Sequence, residues 1–329
     1  MRTLSTALAV TAGCLLSGIG AEALGQVAAW PAKPVQIVIP FPPAGGTDII
    51  TRTVAARLQD KLGKPFVIEN KPGAGGIIGT QQVAKAPPDG YTLVVGITNT
   101  FSINPTFYRG KQLNYDPVKD FEPVAFLAES PHILVIHPET PATNLKEYIA
   151  YVRANRGKLS YASYGNGSTA HLITEMLKEQ AGLDLVHVPY KGIPPALADV
   201  MGNRVSMLVS SAAPAVPLIQ SRKVRALAVY GDKRIDSIPD VPTIGELGYK
   251  DSALTLWYAL FAPASTPKSV VEKMNAEVNW AVQQKDVADV FAKAGIFSRI
   301  LTAPEFAAFA KAETERWSRL VLLSGAQAD

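Results

Sequence analysis

The chain has 329 residues and a formal net charge of +4, from 32 lysine and arginine residues against 28 aspartate and glutamate residues. The basic residues form no cluster, so composition and charge argue against a nucleic-acid-binding surface. The single cysteine, Cys14, excludes an intrachain disulfide, and the length accommodates two domains of ordinary size.

The first residues have the pattern of a secretory signal peptide. Arg2 is followed by an apolar run through Ile19 and then by small residues. The pattern predicts removal of residues 1–25, or of residues up to Ala29, and export of the remainder. The run is too short to favour a membrane span, and no later apolar run reaches that length. A lipid anchor at Cys14 is not expected, because the apolar core continues beyond it.

The mature chain opens with alternating strands and helices. The β-branched run 35–41 predicts a buried strand, and an apolar stripe predicts a helix over residues 48–62 with Thr47 as its N-cap. Residues 66–70 and 92–97 are predicted strands, and the glycine turn between them leads into a second helix. This order predicts a β-α-β-α-β half of an open parallel sheet.

The pattern then restarts, which indicates a second α/β domain. The apolar run 123–138 is too long for one ordinary strand, and we interpret it as a crossing from the first domain to the second. Residues 223–234 are interpreted as the return crossing. A strand at 254–265 and a final helix that begins after Thr302 belong with the first domain. The predicted domains are residues 30–127 with 229–329, and residues 128–228, with a cleft between them.

Three glycine-containing loops precede predicted helices and could hold an anion. The first amides of a helix have no intrahelical partner and carry partial positive charge, so a carboxylate or phosphate is stabilised there. The loops are FPPAGGTD (41–48), KPGAGGIIG (71–79) and YGNGSTAH (164–171). In the last loop, Ser168 could cap its helix and also bind a ligand. His171 is assigned a structural role, since it lacks partners that would make it a base.

Nucleotide binding is not supported by these loops. The 71–79 loop reads G-x-G-x-x-x-G, one residue longer than the dinucleotide fingerprint, and it follows the second strand, so a simple turn into a helix is favoured. No phosphate-loop motif G-x-x-x-x-G-K-[ST] occurs in the sequence.

No constellation of residues predicts catalysis, a metal site or a cofactor. The four histidines show neither H-x-x-x-H nor H-E-x-x-H spacing, no G-x-S-x-G elbow occurs, and the mature chain has no cysteine nucleophile. Tyr190 and Lys191 follow a predicted strand and could face the cleft, or they could form an ordinary solvated strand end. Trp257 and Tyr258 are more typical of a core than of a ligand platform.

Several motifs, taken in order, resemble those of the solute-binding receptors of the tripartite tricarboxylate transporter system, the Bug family. Each motif is weak alone, but together they run over nearly the whole mature chain. They are PFPPAGGTDIITR, ENKPGAGGIIGTQQVAKAPPDGYTL, NPTFY, YDPVKDFEPVA, YGNGSTAHL, VPYKG with PALADVMGN, IPDVPTIGELGY and LFAPASTPKSVVEKMN.

The resemblance implies an α/β fold of the two-domain periplasmic binding protein class (Venus flytrap, type II-like), with two crossover strands. It implies a receptor without catalysis and without a cofactor. Such a receptor captures a small carboxylate-containing metabolite between its domains in the periplasm and delivers it to a cognate two-component membrane permease. We expect a monomer that binds no nucleic acid.

The resemblance also implies which residues bind the ligand. One carboxylate is held between the first and third loops, and further residues line the rest of the cleft. The implied ligand-binding residues are Phe41, Ala44, Gly45, Gly46, Thr47, Asp48, Thr98, Asn99, Tyr164, Gly165, Asn166, Gly167, Ser168, Thr169, Tyr190 and Ser211. Relatives usually have glycine at the position of Ala44, where a methyl group restricts φ > 0. The sequence therefore leaves open which amide of this loop reaches the ligand.

Two other functions stay open at this point. A ligand-loaded receptor could signal through a sensor kinase instead of transporting. An exported α/β enzyme acting on a carboxylate would need a nucleophile, base or metal for which the sequence offers no candidate. The chemical identity of the ligand, among dicarboxylates, amino acids, aromatic acids and amides, stays open as well.

Overall fold

The structure is a computed structural model that describes residues 30–110, 113–249 and 254–324. The predicted signal segment and Cys14 lie outside the described residues. Within these ranges no helix combines the length and apolar character that a membrane crossing requires.

A parallel β-sheet core forms the first half of the fold. The strand β1 pairs in parallel with β2 on one side and with β3 on the other. Helices cover this type of sheet on both faces, which explains why β1 and β3 are nearly continuous apolar runs. A 3-10 turn at Ala74–Gly76 precedes α2, and a π-helical turn at Thr98–Ile103 follows β3. The elements are β1 (Val35–Ile39), α1 (Gly46–Leu62), β2 (Phe66–Asn70), α2 (Ile77–Ala84), β3 (Thr92–Ile97) and α3 (Asn104–Phe107).

One long strand, β4 (Phe121–Ile136), joins the two halves. Its first part, as far as Pro131, pairs antiparallel with β9 (Thr255–Pro263), which also pairs antiparallel with β3. Its last part, from His132 onward, pairs with strands of the second half. The crossing predicted at residues 123–138 therefore corresponds to β4.

The second half repeats the α/β pattern. Strand β5 pairs in parallel with β6 and β7, and β7 and β8 pair antiparallel with the last part of β4. The elements are α4 (Leu145–Ala154), β5 (Ser160–Ser163), α5 (Thr169–Ala181), β6 (Val186–Pro189), α6 (Ile193–Met201), β7 (Met207–Ser211), α7 (Ala212–Gln220) and β8 (Arg225–Tyr230).

The chain returns to the first half later than the sequence predicted. Strand β8 lies within the predicted crossing at 223–234, but it pairs along the last part of β4. Leu227 and Tyr230 are buried in the core of the second half, so β8 completes that core before the chain turns back. The chain re-enters the first sheet at Thr255, the start of β9. The residue limits of the two domains stay a prediction.

The C-terminal helices pack against the first half, and the last of them also reaches the core of the second half. Thr302 and Glu305 form the capping box of the last helix, with 2.8 Å between the Thr302 amide and a Glu305 carboxylate oxygen. Within that helix, Phe306 is buried against the first sheet, whereas Trp317 is buried in the core of the second half. The helices are α8 (Lys268–Ala281), α9 (Lys285–Lys293) and α10 (Ala303–Leu323).

Candidate functional site

The loops that follow β1, β5 and β6 meet at the boundary between the two halves. A Cβ atom added to Gly192, after β6, would lie 2.8 Å from the Pro42 ring, so these two loops touch. The Asn99 side-chain amide donates to the Gly167 carbonyl across 3.5 Å. Phe41 of the first loop and Tyr164 of the third loop line the same pocket, together with Gly192 after β6. The second loop also approaches the third, since a Cβ atom added to Gly75 would lie 3.8 Å from the Asn166 carbonyl oxygen.

Helix α1 presents an uncapped N-terminus to this boundary. The helix begins at Gly46 with Gly45 as its N-cap, and no side chain caps it. The prediction that Thr47 is the N-cap is wrong, because Thr47 lies inside the first turn of the helix. The extended backbone of Gly45 starts the helix two residues before the predicted position. The amides of the first turn lack intrahelical acceptors, and the helix dipole adds partial positive charge, so this end favours an anion.

Asp48 shapes the loop that leads to this helix. Its carboxylate accepts hydrogen bonds from the Ala44 amide at 3.1 Å, from Arg52 Nε at 2.9 Å and from Asn70 Nδ2 at 3.0 Å. Burial opposes ionisation of Asp48, but these hydrogen bonds outweigh it and hold the pKa of the carboxyl below its usual range. Asp48 and Ala44 are therefore satisfied by each other and by neighbouring side chains of the protein.

Ala44 adopts a left-handed backbone conformation, which its methyl group disfavours. Its φ is +64°, in the left-handed region where a Cβ atom costs about 1–2 kcal/mol. In this conformation the Ala44 amide donates its hydrogen bond to the Asp48 carboxylate. The Ala44 amide thus points into the first turn of α1, and the amides available to an anion are those of the helix itself.

Two buried hydroxyl groups face the N-terminus of α1. A Cβ atom added to Gly46 would lie 2.7 Å from Tyr258 Oη and 3.0 Å from Ser211 Oγ. Both side chains are fully buried, and the two hydroxyls lie beside each other, but neither oxygen forms a hydrogen bond of good geometry with any described residue. Burial raises the pKa of Tyr258, so its phenol stays protonated and available as a donor. Buried polar groups are normally paired, so this orphaned pair indicates a site for a ligand or a water.

The third loop is fixed by its own hydrogen bonds. The Gly165 amide donates to Ser163 Oγ at 3.2 Å, and the Gly167 amide donates to His171 Nδ1 at 3.1 Å. Ser168 caps α5, since its Oγ accepts from the His171 amide at 3.3 Å. Gly167 has φ of +69°, and a Cβ atom there would lie 2.5 Å from the Phe107 ring. His171 is structural, as the sequence predicted, and this loop is a preformed wall of the site.

A buried histidine connects this wall to the strand between the halves. His132 Nδ1 donates to the Leu254 carbonyl at 2.9 Å, so Nε2 is the unprotonated nitrogen. Nε2 accepts from Thr169 Oγ1 at 2.7 Å and lies 3.3 Å from Tyr164 Oη, and the two hydroxyls contact each other. Burial lowers the pKa of His132 to about 4. No local sequence pattern predicts this network, because its members are far apart in the chain.

The π-helical turn after β3 contributes one more orphaned polar atom. Thr98 Oγ1 accepts from the Trp257 amide at 3.0 Å, so Thr98 ties this turn to β9. Asn99 is buried, and its Oδ1 has no partner among the described residues. Of these two predicted site residues, Asn99 is therefore the one with unused hydrogen-bonding capacity.

A first pocket, with about 330 Å³ of free volume including the solvent at its mouth, opens at the N-terminus of α1. Its predicted lining residues are Phe41, Gly45, Gly46, Thr47 and Tyr164. The sequence missed Pro42, Ile97, Gly192, Ile193, Pro194, Leu256 and Tyr258. Side chains alternate along a strand, so the sequence predicts that Trp257 and Tyr258 face opposite sides of the sheet. It does not predict which of the two side chains faces α1.

A second pocket lies beside the first and has about 540 Å³ of free volume, again including the solvent at its mouth. It separates the glycine loop 73–76 from Pro189, Tyr190 and Lys191, and Phe41 and Tyr164 line both pockets. The Tyr190 hydroxyl donates to Asp199 at 2.6 Å, and burial together with this carboxylate raises the pKa of Tyr190 to about 12. The predicted residues that line neither pocket are Ala44, Asp48, Thr98, Asn99, Gly165, Asn166, Gly167, Ser168, Thr169 and Ser211.

Metal-binding geometry is absent from residues 30–110, 113–249 and 254–324. No group of three histidine, cysteine, aspartate or glutamate side chains in these ranges could hold a metal ion. The polar atoms that converge on the first pocket are hydroxyl and amide groups, which suit an organic anion.

Known proteins are similar to this chain in both sequence and shape. Residues 50–325 match the family described as tripartite tricarboxylate transporter family receptor. The protein BugT of Bordetella pertussis (strain Tohama I) is 34% identical over 327 residues, covering 98% of this chain and 98% of BugT.

Three solved structures are similar over nearly all of the chain. The periplasmic binding protein BugD is 35% identical, with a TM-score of 0.86 over 91% of this chain and 100% of BugD. The R. palustris protein Rpa4515, solved with adipate, is 32% identical, with a TM-score of 0.87 over 91% of this chain and 99% of that one. MatC from Rhodopseudomonas palustris, with bound malate, is 34% identical, with a TM-score of 0.84 over 89% of this chain and 100% of MatC. These likenesses confirm the predicted α/β periplasmic binding protein fold.

Proposed function

Because this chain belongs to the tripartite tricarboxylate transporter receptor family, we propose that it binds a small carboxylate at the N-terminus of α1. The resemblance noted from the sequence is thereby confirmed. The family and the similar structures are solute-binding receptors, in agreement with the prediction that the chain is not an enzyme. Adipate and malate are the ligands of two of these structures, which supports a carboxylate here.

The orphaned hydroxyls of Tyr258 and Ser211 carry the proposal. Both face Gly46, where the backbone amides of an uncapped helix point outward. A carboxylate at this point accepts from the amides of Gly46 and Thr47 and from the two hydroxyls. Hydrogen bonds to a charged group contribute about 1.5–3 kcal/mol each, whereas an unused buried donor costs about 1–3 kcal/mol. The ligand therefore satisfies groups that the protein alone leaves unpaired.

Other predicted residues shape the site without lining either pocket. Asp48 and Ala44 set the path of the first loop, and Ser168 and Thr169 hold the wall formed by the third loop. Asn99, with its free Oδ1, is a candidate for a water-mediated contact. Recognition by neutral donors suits a receptor, because no full positive charge at this end holds the ligand too tightly for release.

Ligand binding is coupled to closure of the two halves. Pro42 touches Gly192, and Gly46 touches Ser211, so the site is complete only when the halves meet. A ligand that contacts both halves shifts the equilibrium toward the closed state. We propose that the closed monomer, in the periplasm, is the form that a two-component membrane permease accepts. Presentation to a sensor kinase is the alternative role, and the site chemistry is the same for both.

A thermal-shift comparison of acids with their amides tests the carboxylate site. The chain is melted with adipate or malate, and then with adipamide or malamide. A ligand at 100 times its Kd adds about 2.7 kcal/mol of stability, so a binding acid raises the melting temperature by several degrees. The diamides should give no shift, because they carry no negative charge for the helix N-terminus. A shift by the diamides and not by the acids would refute the proposed function.

A further inference from the structure

Two histidine rings lie stacked beside the third loop and line neither pocket. The rings of His171 and His187 are parallel to within 12°, with 4.1 Å between their centroids. His171 belongs to the first turn of α5 and is buried, whereas His187 lies on β6 and is partly buried. Tyr161 of β5 also stacks on His187, with 4.8 Å between the ring centroids. The stack therefore joins β5, β6 and α5 next to the loop.

The two histidines are the groups of this stack that change charge near neutral pH. Burial, together with the Glu175 carboxylate that accepts from its hydroxyl, raises the pKa of Tyr161 above its usual range, so the phenol stays neutral. Glu175 and Lys178 are the charged groups that α5 brings to the stack, and they bind each other at 2.8 Å. The other neighbours, Phe107 of α3 and Ser163 of β5, carry no charge. Proton uptake is therefore decided between the two imidazole rings.

His171 holds the third loop only while its ring is neutral. The Gly167 amide donates to His171 Nδ1 at 3.1 Å, so this nitrogen carries no proton. Protonation of Nδ1 would set two donors against each other, and the hydrogen bond would be lost. His171 also lies in the first turn of α5, where the helix dipole disfavours a positive charge. Two independent features of the fold thus keep His171 neutral.

His187 can take up a proton without disturbing the loop. Its Nε2 lies 2.7 Å from Ser163 Oγ, and a hydroxyl group can accept as well as donate. The Ser163 hydroxyl then directs its own proton to the Gly165 carbonyl, 3.1 Å away. Once His187 is charged, a second positive charge on His171 is opposed by repulsion across the 4.1 Å stack. The first proton therefore goes to His187, and its charge delays the second.

We propose that this histidine pair is a two-step proton switch for the third loop. The first proton, on His187, leaves the loop locked. The second proton, on His171, breaks the bond to Gly167 and releases the loop. Because Tyr164 of this loop lines both pockets, release disturbs the wall of the ligand site. This effect on the ligand rests on the proposed function, whereas the two protonation steps do not.

Hydrogen exchange of the Gly167 amide, corrected for the intrinsic dependence of exchange on pH, follows the lock directly. In the wild-type chain this amide should be protected at about pH 8 and pH 6, and should lose at least about tenfold in protection by pH 5. The titration ends there because the pKa of His132, whose ring contacts the same loop, is about 4. The imidazole NMR signals of the pair should titrate in two steps at least about one pH unit apart. Amides of β1 and β3 should stay protected throughout, which shows that the chain remains folded.

Two variants should move the release of the loop in opposite directions. His187→Gln removes the first charge, so the Gly167 amide should lose its protection already at about pH 6. In His171→Asn the new amide oxygen takes the place of Nδ1 and cannot be protonated in this range, so protection should persist at pH 5. His137→Asn is the matched control, because His137 Nδ1 accepts from the Glu139 amide at 3.2 Å in an exposed turn away from the stack. This variant should behave as the wild-type chain does.

Constant protection of the Gly167 amide in the wild-type chain from pH 8 to pH 5 would overturn the inference. Release at the same pH in His187→Gln and the wild-type chain would also overturn it, as would a His187→Gln chain that is already unprotected at pH 8, because the ring would then be a structural support alone.

Calorimetric titration with adipate tests the effect on the ligand site separately. The ratio of the adipate affinities of His171→Asn and the wild-type chain cancels the protonation of adipate itself, and this ratio should rise between pH 7 and pH 5. An unchanged ratio would overturn the link between the lock and the site. A wild-type chain that binds neither adipate nor malate at pH 7 would count against the proposed function alone, because the exchange test needs no ligand.

Discussion

The backbone amide of Ala44 donates a hydrogen bond to Oδ2 of Asp48, with 3.1 Å between the two atoms. This bond accompanies the left-handed backbone at Ala44, the position where the family resemblance predicted glycine. The left-handed backbone at Ala44 turns the amide toward the carboxylate, and the loop then enters α1 at Gly46. In the proposed site, a ligand would meet the helix amides and the hydroxyls around Gly46, and not the amide of Ala44.

Ala44→Gly tests this division of roles. The change removes a left-handed alanine, which costs about 1–2 kcal/mol, but adds flexibility to the unfolded chain worth about 0.4–1 kcal/mol. We expect the free energy of unfolding to rise by up to about 1.6 kcal/mol in urea denaturation. Carboxylate affinity should stay within twofold, because the amide still serves Asp48. Ala288→Gly, at an exposed position inside α9, should instead cost about 1 kcal/mol. A tenfold change in affinity for Ala44→Gly would place its amide at the ligand after all.

Asp48→Asn should destabilise the chain most clearly near neutral pH. The pKa of Asp48 is lower in the folded chain than in the unfolded chain, because its hydrogen bonds outweigh the effect of burial. The unfolded chain therefore takes up the proton first as the pH falls, and the contribution of Asp48 to stability is lost below about pH 4. Unfolding curves of the wild-type and variant chains should differ at pH 7 and converge below pH 4. A constant difference across that range would contradict the assignment.

His132 should dominate the loss of stability between about pH 6.5 and pH 4. Burial holds its pKa at about 4 in the folded chain, against about 6.5 when unfolded, so the unfolded chain binds the extra proton. Stability should then fall by about 1.4 kcal/mol per pH unit as the pH drops through this window, or roughly 3 kcal/mol in all. His132→Gln should lower stability at pH 7 and flatten this slope. A variant with the wild-type slope would show that another group titrates.

Gly46→Ala should weaken carboxylate binding more than tenfold without unfolding the chain. The added methyl group would displace the hydroxyls of Tyr258 and Ser211, which lie 2.7 and 3.0 Å from its position. Overpacking of this kind costs about 1–3 kcal/mol, and we expect affinity to fall more than tenfold. Gly245→Ala is the control, because its methyl group would meet a single atom at 3.8 Å, away from the pockets. Wild-type affinity in Gly46→Ala would exclude this helix end as the site.

The sequence predicted the alternation of strands and helices because each strand is a local apolar run. It also predicted the loops at Gly46 and Ser168, because glycine turns before helices are local signals. Tyr258 could not be predicted, since its position depends on how β9 pairs with β3 and β4 far away in the chain. The satisfied state of Asp48 and the orphaned state of Ser211 depend on the same tertiary arrangement. Residue types can be selected from sequence, but unused hydrogen-bonding capacity is a property of the folded chain.

The most direct test of the carboxylate site removes one oxygen atom. Tyr258→Phe deletes a hydroxyl that forms no hydrogen bond of good geometry in the described part of the protein, so the stability of the ligand-free chain should be nearly unchanged. Loss of a hydrogen bond to a charged ligand costs about 1.5–3 kcal/mol, or roughly 10- to 100-fold in affinity. Calorimetric titration of adipate and malate should therefore show at least tenfold weaker binding by Tyr258→Phe than by the wild-type chain. Equal affinities, with or without a loss of stability, would contradict a carboxylate held at the N-terminus of α1.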